Sequence, residues 1–148
     1  EPYRRVGGVG KGGLFKAVNT GSSGPDFEIW LADGRAGLME VKSRKGNRVV
    51  LSSVGEAQAL DLTRMSYWGH LALVLVRLVD EWYLVDYRAW THSKKRSLNA
   101  YDLEAQGARV PLSAHGLPDY LSVIDEAITR ADAYLARLQE TQETHDPD

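Results

Sequence analysis

The stretch "GPDFEIWLADGRAGLMEVKSRKG", residues 24–46, alternates charged and apolar side chains on what read as two strands. Asp33-Gly34 is a strong hairpin signal, so the strands are expected near residues 27–32 and 36–43. In the second strand, charged and apolar residues interleave: Glu40 and Lys42 with Met39 and Val41. A half-solvated edge strand shows the same alternation, so the pattern alone leaves chemistry and a solvated face as open readings.

Hairpin register tests whether the charged residues share a face, because a slip of one residue exchanges the two faces of a strand. A two-residue loop would oppose Phe27 to Glu40 and spread the apolar residues over both faces. A three-residue loop, in which Gly34 takes the left-handed position, gathers the apolar residues on one face. Its pairs are Phe27 with Val41, Ile29 with Met39, Asp26 with Lys42 and Glu28 with Glu40. The core therefore favours the register that gathers Asp26, Glu40 and Lys42.

The composition is that of a globular domain. With 148 residues, 43% of them hydrophobic and 26% charged, the chain fits one domain with a single core. No apolar run is long enough to span a membrane, and no signal peptide is recognisable. The absence of cysteine excludes disulfides and thiolate metal sites. These features predict a cytoplasmic protein.

The net charge of −2 hides an asymmetry along the chain. Residues 1–109 hold 16 Lys and Arg against 12 Asp and Glu, a net of +4. Residues 110–148 hold 2 against 8, a net of −6. A basic body with an acidic end suggests that the body meets a polyanion. Solvated surface charge with an acidic tail explains the composition equally well.

The rest of the chain completes an α/β pattern with a mixed central sheet flanked by helices. A short strand and a basic loop are expected within the first 25 residues. Ser53 followed by Glu56 is a capping-box signature for a helix. The elements predicted after the hairpin are a helix from about Val54 to Tyr67, a strand buried on both faces at 70–79, its hairpin neighbour at 82–87 and an irregular stretch at 91–116.

A long C-terminal helix is predicted by apolar residues that step alternately by four and three. These residues are Leu117, Leu121, Ile124, Ile128, Ala131, Leu135 and Leu138. Their narrow seam either pairs with a second copy or braces its own sheet. The end of the chain, 140–148, is predicted to be disordered. We therefore expect a core at 1–116, with 117–148 adding a helix and an acidic tail to the same domain.

The grouped charges of the hairpin point to metal-assisted hydrolysis. Two carboxylates a few ångströms apart repel each other and therefore require a hard cation between them. Mg²⁺, with Mn²⁺ as a substitute, suits such an all-oxygen site. A neighbouring lysine supplies positive charge to the attacking water or to a phosphate. Asp26, Glu40 and Lys42 thus fit phosphodiester hydrolysis.

The pair "PD" at 25–26 and "EVK" at 40–42 resembles the signature of the PD-(D/E)XK nuclease superfamily. The resemblance covers residues 3–90 and implies a restriction-endonuclease-like fold. The small architecture is most similar to Holliday-junction resolvases of the archaeal Hjc and RecU types. The site residues that the resemblance implies are Asp26, Glu40 and the Val41 carbonyl as metal ligands, Lys42 as the family lysine and Gln58 as the helix glutamine. Such resolvases normally begin with a helix carrying another metal-site glutamate, which this sequence lacks before Tyr3; Glu1 is a candidate substitute.

The implied function is resolution of four-way DNA junctions by a Mg²⁺-dependent homodimeric endodeoxyribonuclease of DNA recombination and repair. Phosphate contacts are expected from Arg44, Lys45 and Arg48, and from Arg4, Arg5, Lys11 and Lys16. The basic cluster "KKR" at 94–96 is a further candidate. Two alternatives remain: another DNA endonuclease of the superfamily (restriction-, mismatch- or transposase-type), and a non-catalytic DNA-binding protein on the same fold.

Overall fold

The computed structural model describes residues 24–143 with their side chains, and the backbone of Tyr3–Arg4 and Leu14–Asn19. The strands are β1 (Tyr3–Arg4), β2 (Leu14–Asn19), β3 (Phe27–Leu31), β4 (Ala36–Arg44), β5 (Arg48–Val50), β6 (Leu71–Leu78), β7 (Glu81–Asp86), β8 (Ser97–Asn99) and β9 (Ala108–Val110). The α-helices are α1 (Glu56–Tyr67), α2 (Tyr87–Thr91), α3 (Ala100–Gln106) and α4 (Ile124–Glu143). Two 3₁₀ turns, Leu51–Ser53 and Tyr120–Val123, precede α1 and α4.

Seven strands form one mixed sheet in the order β1-β2-β3-β4-β6-β7-β9, and β5 pairs with β8 in a separate ribbon. Strands β4 and β6 are parallel, whereas the other neighbours in the sheet are antiparallel. The parallel pair needs a crossover connection, and α1 lies within it. The predicted α/β architecture, a mixed sheet with flanking helices and a long C-terminal helix, is confirmed.

The core has two layers, one on each face of the sheet. Strand β6 is buried along nearly its whole length, as its continuous apolar sequence predicts. On one face, Val74 and Val76 pack in a cluster with Leu62 of α1. On the other face, Leu73 packs in a cluster with Ile124 of α4. Helix α1 therefore packs on the first face and the start of α4 on the second, whereas Ala131, further along α4, belongs to the first cluster.

The register of the β3–β4 hairpin differs from the predicted one by two residues. Phe27 lies opposite Met39, not Val41. The loop has three residues, as predicted, but it consists of residues 32–34, and Gly34 has the positive φ of 95° that closes it. Because two is the period of a strand, the shift leaves every side chain on its predicted face. Asp26, just before β3, now comes opposite Glu40 instead of Lys42.

Helix α1 begins two residues later than predicted, and the predicted capping box of Ser53 and Glu56 does not form. The Ser53 hydroxyl donates to the Val50 carbonyl at 2.6 Å within the 3₁₀ turn, so it does not cap the helix. Gly55 is the N-cap residue and makes no side-chain cap bond. The predicted end is right, since Trp68 follows the last helical residue and Gly69 turns the chain with φ 79°.

The stretch at 91–116 is not irregular, because β8, α3 and β9 all lie within it. Asn99 and Asp102 form a complete capping box for α3, with the side chain of each accepting from the backbone N–H of the other. That signal is visible in the sequence and was missed. No described helix is long and apolar enough to cross a membrane.

The C-terminal helix starts later than its apolar repeat predicts. Leu117 is exposed and precedes an isolated bridge residue, Pro118, so α4 begins only at Ile124. Helix α4 then packs against β7, α2, α3 and β9 of its own chain. It continues to Glu143, so the first residues of the predicted disordered end are helical, while 144–148 lie outside the described residues.

Candidate active site

Asp26 is anchored where the β3–β4 ladder stops. Its Oδ2 accepts a hydrogen bond from the Val41 N–H at 2.8 Å. Asp26 directly precedes Phe27, and Val41 lies two residues beyond Met39, the partner of Phe27 in the last described pair. The carboxylate thus takes the place of a strand carbonyl and satisfies a backbone donor that would otherwise lack a partner. This contact fixes Asp26 against β4 and directs its carboxylate towards the neighbouring Glu40.

Glu40 is a buried carboxylate with one unsatisfied oxygen. The residue is only 3% exposed, and its Oε2 has no hydrogen-bond partner. Burial raises the pKa of Glu40, and the negative charge of Asp26 raises it further, whereas the Lys42 ammonium opposes both effects. A buried oxygen without a partner costs free energy, so it marks either a strained site or a position that a ligand satisfies.

Lys42 lies on the same face, two residues further along β4. Its Nζ is 3.2 Å from Glu40 Oε1, and its side chain is 16% exposed. The ammonium therefore balances part of the local negative charge while one side of it stays accessible. The structure places Asp26, Glu40 and Lys42 together, as the sequence predicts, although through a different register.

The donor set fits a hard divalent cation. Two carboxylates are available, and the Val41 carbonyl points to the same strand edge as its N–H, towards Asp26. Mg²⁺ is commonly held by one or two carboxylates, with waters and substrate phosphate completing the shell. Among the described residues, no group of three or more His, Asp or Glu side chains converges, so a further protein carboxylate is not part of this set. Glu1 lies outside the described residues.

Gln58 is on the first turn of α1, towards the end of β4 that carries Lys42. Within residues 24–143 it makes no hydrogen bond to Asp26, Glu40 or Lys42. Its Oε1 instead folds back over the N-cap and occupies the space that a Cβ on Gly55 would take. Gly55 thus leaves room for the glutamine side chain, and the water-orienting role of Gln58 stays a prediction.

The predicted phosphate-binding residues after the site are exposed. Arg44 Nη1 donates to the Ser43 carbonyl at 2.8 Å, and Arg48 Nη1 donates to Ser97 Oγ at 3.1 Å. Within the described part of the chain, Arg44, Lys45 and Arg48 form no ion pair, so their charges are available to a polyanion.

The second basic cluster, at 94–96, meets the first through the small ribbon. Strand β5 begins at Arg48, strand β8 begins directly after Arg96, and the two strands pair. The Arg96 carbonyl also accepts from the Leu51 N–H at 2.9 Å. Lys95 is engaged by Asp102 at 2.6 Å and is thus less available than its neighbours. The two segments together form one basic region.

The remaining predicted DNA contacts lie near the start of the chain. Arg4 is on β1, and Lys16 is on β2, where it pairs with Trp30 of β3. Arg5 and Lys11 lie outside the described residues. The DNA-binding roles of these four residues stay predictions.

Sequence reasoning missed an aromatic groove on the site's own face of the sheet. Trp30 is 45% exposed and Trp68 is 61% exposed. Both line a groove of about 760 Å³ between the β3–β4 hairpin and the C-terminal end of α1. Trp30 and Trp68 are 38 residues apart in the sequence, so their proximity cannot be predicted without the fold.

Among solved structures, the chain is similar to the Holliday junction resolvase Hjc from Archaeoglobus fulgidus, an archaeal hyperthermophile. The match covers 63% of this chain and 75% of that one, at 20% sequence identity and a TM-score of 0.47. No family model matches the sequence. No curated protein matches it either. At this identity and TM-score the likeness carries no argument about function, which therefore has to rest on the geometry of the site.

Proposed function

We propose that the protein is a metal-dependent, structure-selective endodeoxyribonuclease that resolves four-way DNA junctions by phosphodiester hydrolysis. The observation that carries this proposal is the pairing of Asp26 with Glu40 beside Lys42, with one buried Glu40 oxygen left without a partner. The large majority of buried side-chain polar atoms have a hydrogen-bond partner, so an oxygen without one is unusual for a carboxylate that serves only the fold.

Asp26, Glu40 and the Val41 carbonyl would hold Mg²⁺, or Mn²⁺ in its place. When bound, such an ion lowers the pKa of water and offsets the charge of a phosphate. The Val41 N–H keeps Asp26 oriented, which reduces the reorganisation that binding requires. Lys42 holds a positive charge 3.2 Å from Glu40, where it stabilises the additional negative charge that a phosphate gains during hydrolysis.

The basic region supports DNA as the substrate. Arg44, Lys45 and Arg48 follow the site within a few residues, so a phosphate backbone that contacts them passes close to Lys42. A four-way junction has approximate two-fold symmetry and needs two incisions. One metal site per chain therefore favours a homodimer, with α4 or the nearby sheet edge as the interface.

Non-catalytic DNA binding on the same fold is the second candidate. It is favoured by the small acidic set, since the described residues supply two carboxylates where a third would strengthen metal binding. In that case Asp26 would only accept the Val41 N–H, and Lys42 would only pair with Glu40, so that both residues would stabilise the hairpin.

Cleavage of duplex, flap and four-way junction DNA with Mg²⁺, with Mn²⁺ and with chelator separates the candidates. We expect metal-dependent incision with the junction cut fastest. Equal cutting of all three DNAs would favour another endonuclease. Binding without incision in either metal would favour the non-catalytic reading.

A further inference from the structure

The aromatic groove is built from the same two strands as the candidate active site. Trp30, Glu28 and Asp26 alternate along β3 and its start, so they share one face of the sheet. Glu28 and Leu38, which line the groove, are paired across the hairpin directly next to Asp26 and Glu40. At about 3.3 Å per residue, Trp30 lies roughly 13 Å from Asp26 along β3. The groove therefore lies on the same face of the sheet as the site and further along the same two strands, although Asp26, Glu40 and Lys42 do not line it.

The tryptophans are placed for contact with flat ligands. The Trp30 indole N–H donates to Glu28 Oε1 at 3.0 Å, which fixes the ring while leaving nearly half of the residue exposed. Gly34 and Gly69 line the same groove, and a Cβ on either would meet nothing within 4 Å. These two turns therefore do not close over the exposed tryptophan rings.

Among the described residues that line it, the groove offers no free guanidinium or ammonium, and it carries one unpaired carboxylate. Arg35 is bound by Asp33 at 2.8 Å and by Asp125 at 2.6 Å. Glu28 accepts the Trp30 indole N–H, which orients its carboxylate but leaves the negative charge in place. A ligand of this groove consequently gains little from phosphate contacts and mainly offers apolar or aromatic faces. The basic side chains that suit phosphates instead lie beyond Lys42, at the other end of β4.

We propose that the groove stacks the bases of an unpaired DNA strand that leaves the duplex next to the active site. This inference rests on the proposed function and names its substrate class: DNA with a duplex-to-single-strand transition, its duplex phosphates on Arg44, Lys45 and Arg48 and its unpaired bases on Trp30 and Trp68. Aromatic side chains stack any base, so the groove reads the unpaired state rather than the sequence.

The test is equilibrium binding in the presence of chelator, so that no DNA is cut. The ligands are a blunt duplex, the same duplex with a single-stranded tail, and the same duplex with an abasic tail that keeps the phosphates without the bases. The proteins are the parent, Trp30→Ala/Trp68→Ala, Trp30→Tyr/Trp68→Tyr and Leu117→Ala. The tyrosine variant keeps aromatic rings, and Leu117→Ala removes an exposed apolar side chain outside the groove.

The parent should bind the tail with bases about tenfold or more tightly than the abasic tail, because stacking contributes substantially for each base. The double alanine variant should lose that preference, while the tyrosine variant and Leu117→Ala keep it. All four proteins should bind the blunt duplex alike. Equal binding of the two tails by the parent, or an undiminished preference in the double alanine variant, would overturn the proposal.

Incision assays with Mg²⁺ on the same DNAs separate this inference from the proposed nuclease function. Metal-dependent incision without any preference for a base-bearing tail would overturn the groove proposal alone. A tryptophan-dependent tail preference without incision in Mg²⁺ or Mn²⁺ would support the groove and refute the nuclease.

Discussion

Asp102 and Glu40 are both buried carboxylates beside a lysine, but they differ in how completely their oxygens are hydrogen-bonded. Asp102 is 5% exposed, and both its oxygens are satisfied, by Lys95 at 2.6 Å and by the Asn99 N–H at 3.1 Å. Glu40 is equally buried, but only one oxygen has a partner, and that contact is longer. Burial alone would raise the pKa of Asp102, but the Lys95 and Asn99 hydrogen bonds outweigh it and the pKa is lowered. The pKa of Glu40 is raised.

The difference separates a carboxylate that stabilises the fold from one that is held ready for a ligand. Asp102 completes the capping box of α3, so its charge is used within the protein. Glu40 faces a second carboxylate and keeps an unsatisfied oxygen, an arrangement that costs stability without a ligand. Removal of the negative charge at the two positions should therefore have opposite effects on cleavage and on stability.

The largest expected contrast is in cleavage. Asp26→Asn and Glu40→Gln should each lower the rate by at least about hundredfold, because each removes a metal ligand, while DNA binding stays intact or becomes tighter. Asp102→Asn should cleave within a few-fold of the parent, at a temperature where circular dichroism shows it folded. Rates are measured on junction DNA in single turnover. Residual cleavage by Glu40→Gln near the parent rate would remove the contrast.

The two lysines sharpen the same comparison. Lys42→Ala should lose about hundredfold in cleavage, since it removes a charge beside the reacting phosphate, yet it should still bind Mg²⁺ or Mn²⁺ by calorimetry. Lys95→Ala should cleave normally and lose about 1–3 kcal/mol of stability, because it leaves one buried oxygen of Asp102 without its partner. Loss of metal binding in Lys42→Ala would give that lysine a structural role.

Stability should change in opposite directions. Asp102→Asn should lower the free energy of unfolding by about 1–2 kcal/mol, because it weakens a cap and charge-assisted hydrogen bonds. Glu40→Gln, in chelator, should leave stability unchanged or raise it by up to about 1 kcal/mol, since its amide can donate to Asp26 and the repulsion is gone. Urea denaturation measures both. A clear loss of stability in Glu40→Gln would make Glu40 a structural residue.

The pH dependence of stability should also differ in sign. The pKa of Glu40 is raised in the folded protein, so the parent loses stability as the pH rises from the ordinary value of 4.5 through the raised value. The stability of Glu40→Gln relative to the parent should therefore increase over that pH range. The contribution of Asp102 is present above its ordinary pKa of 3.8 and is lost as pH falls through the lowered value. The deficit of Asp102→Asn should therefore shrink in acid. Denaturation curves across this pH range, in chelator, test both slopes.

The sequence predicts the face of the candidate site better than its pairing. Alternation along β3 and β4 fixes which side chains share a face, and an error of two residues preserves it. The pairing itself depends on which residues form the loop. Gly34 fits the middle position of the predicted three-residue loop as well as the last position of the observed one, so the sequence does not distinguish the two. The Val41 N–H bond to Asp26 follows only from the observed register, so it could not be predicted.

Other misses share one physical cause, the dominance of tertiary contacts over local signals. Ser53 carries a capping signature, yet the pairing of β5 with β8 draws its turn into a 3₁₀ conformation ahead of α1. Leu117 continues the apolar repeat, but the Leu112–Pro118 bridge keeps it outside α4. The groove of Trp30 and Trp68 exists because α1 returns across β4, which no local pattern encodes.

The most direct test of the central claim, that Glu40 and Asp26 form a metal site, is the free energy of unfolding with and without Mg²⁺. Ligand that binds only the folded state stabilises it by about 2.7 kcal/mol at a hundredfold excess over its Kd. We predict a stabilisation of this kind in the parent and in Asp102→Asn, and none in Glu40→Gln. Equal stabilisation of the parent and Glu40→Gln, or no effect of Mg²⁺ or Mn²⁺ on the parent, would contradict the account.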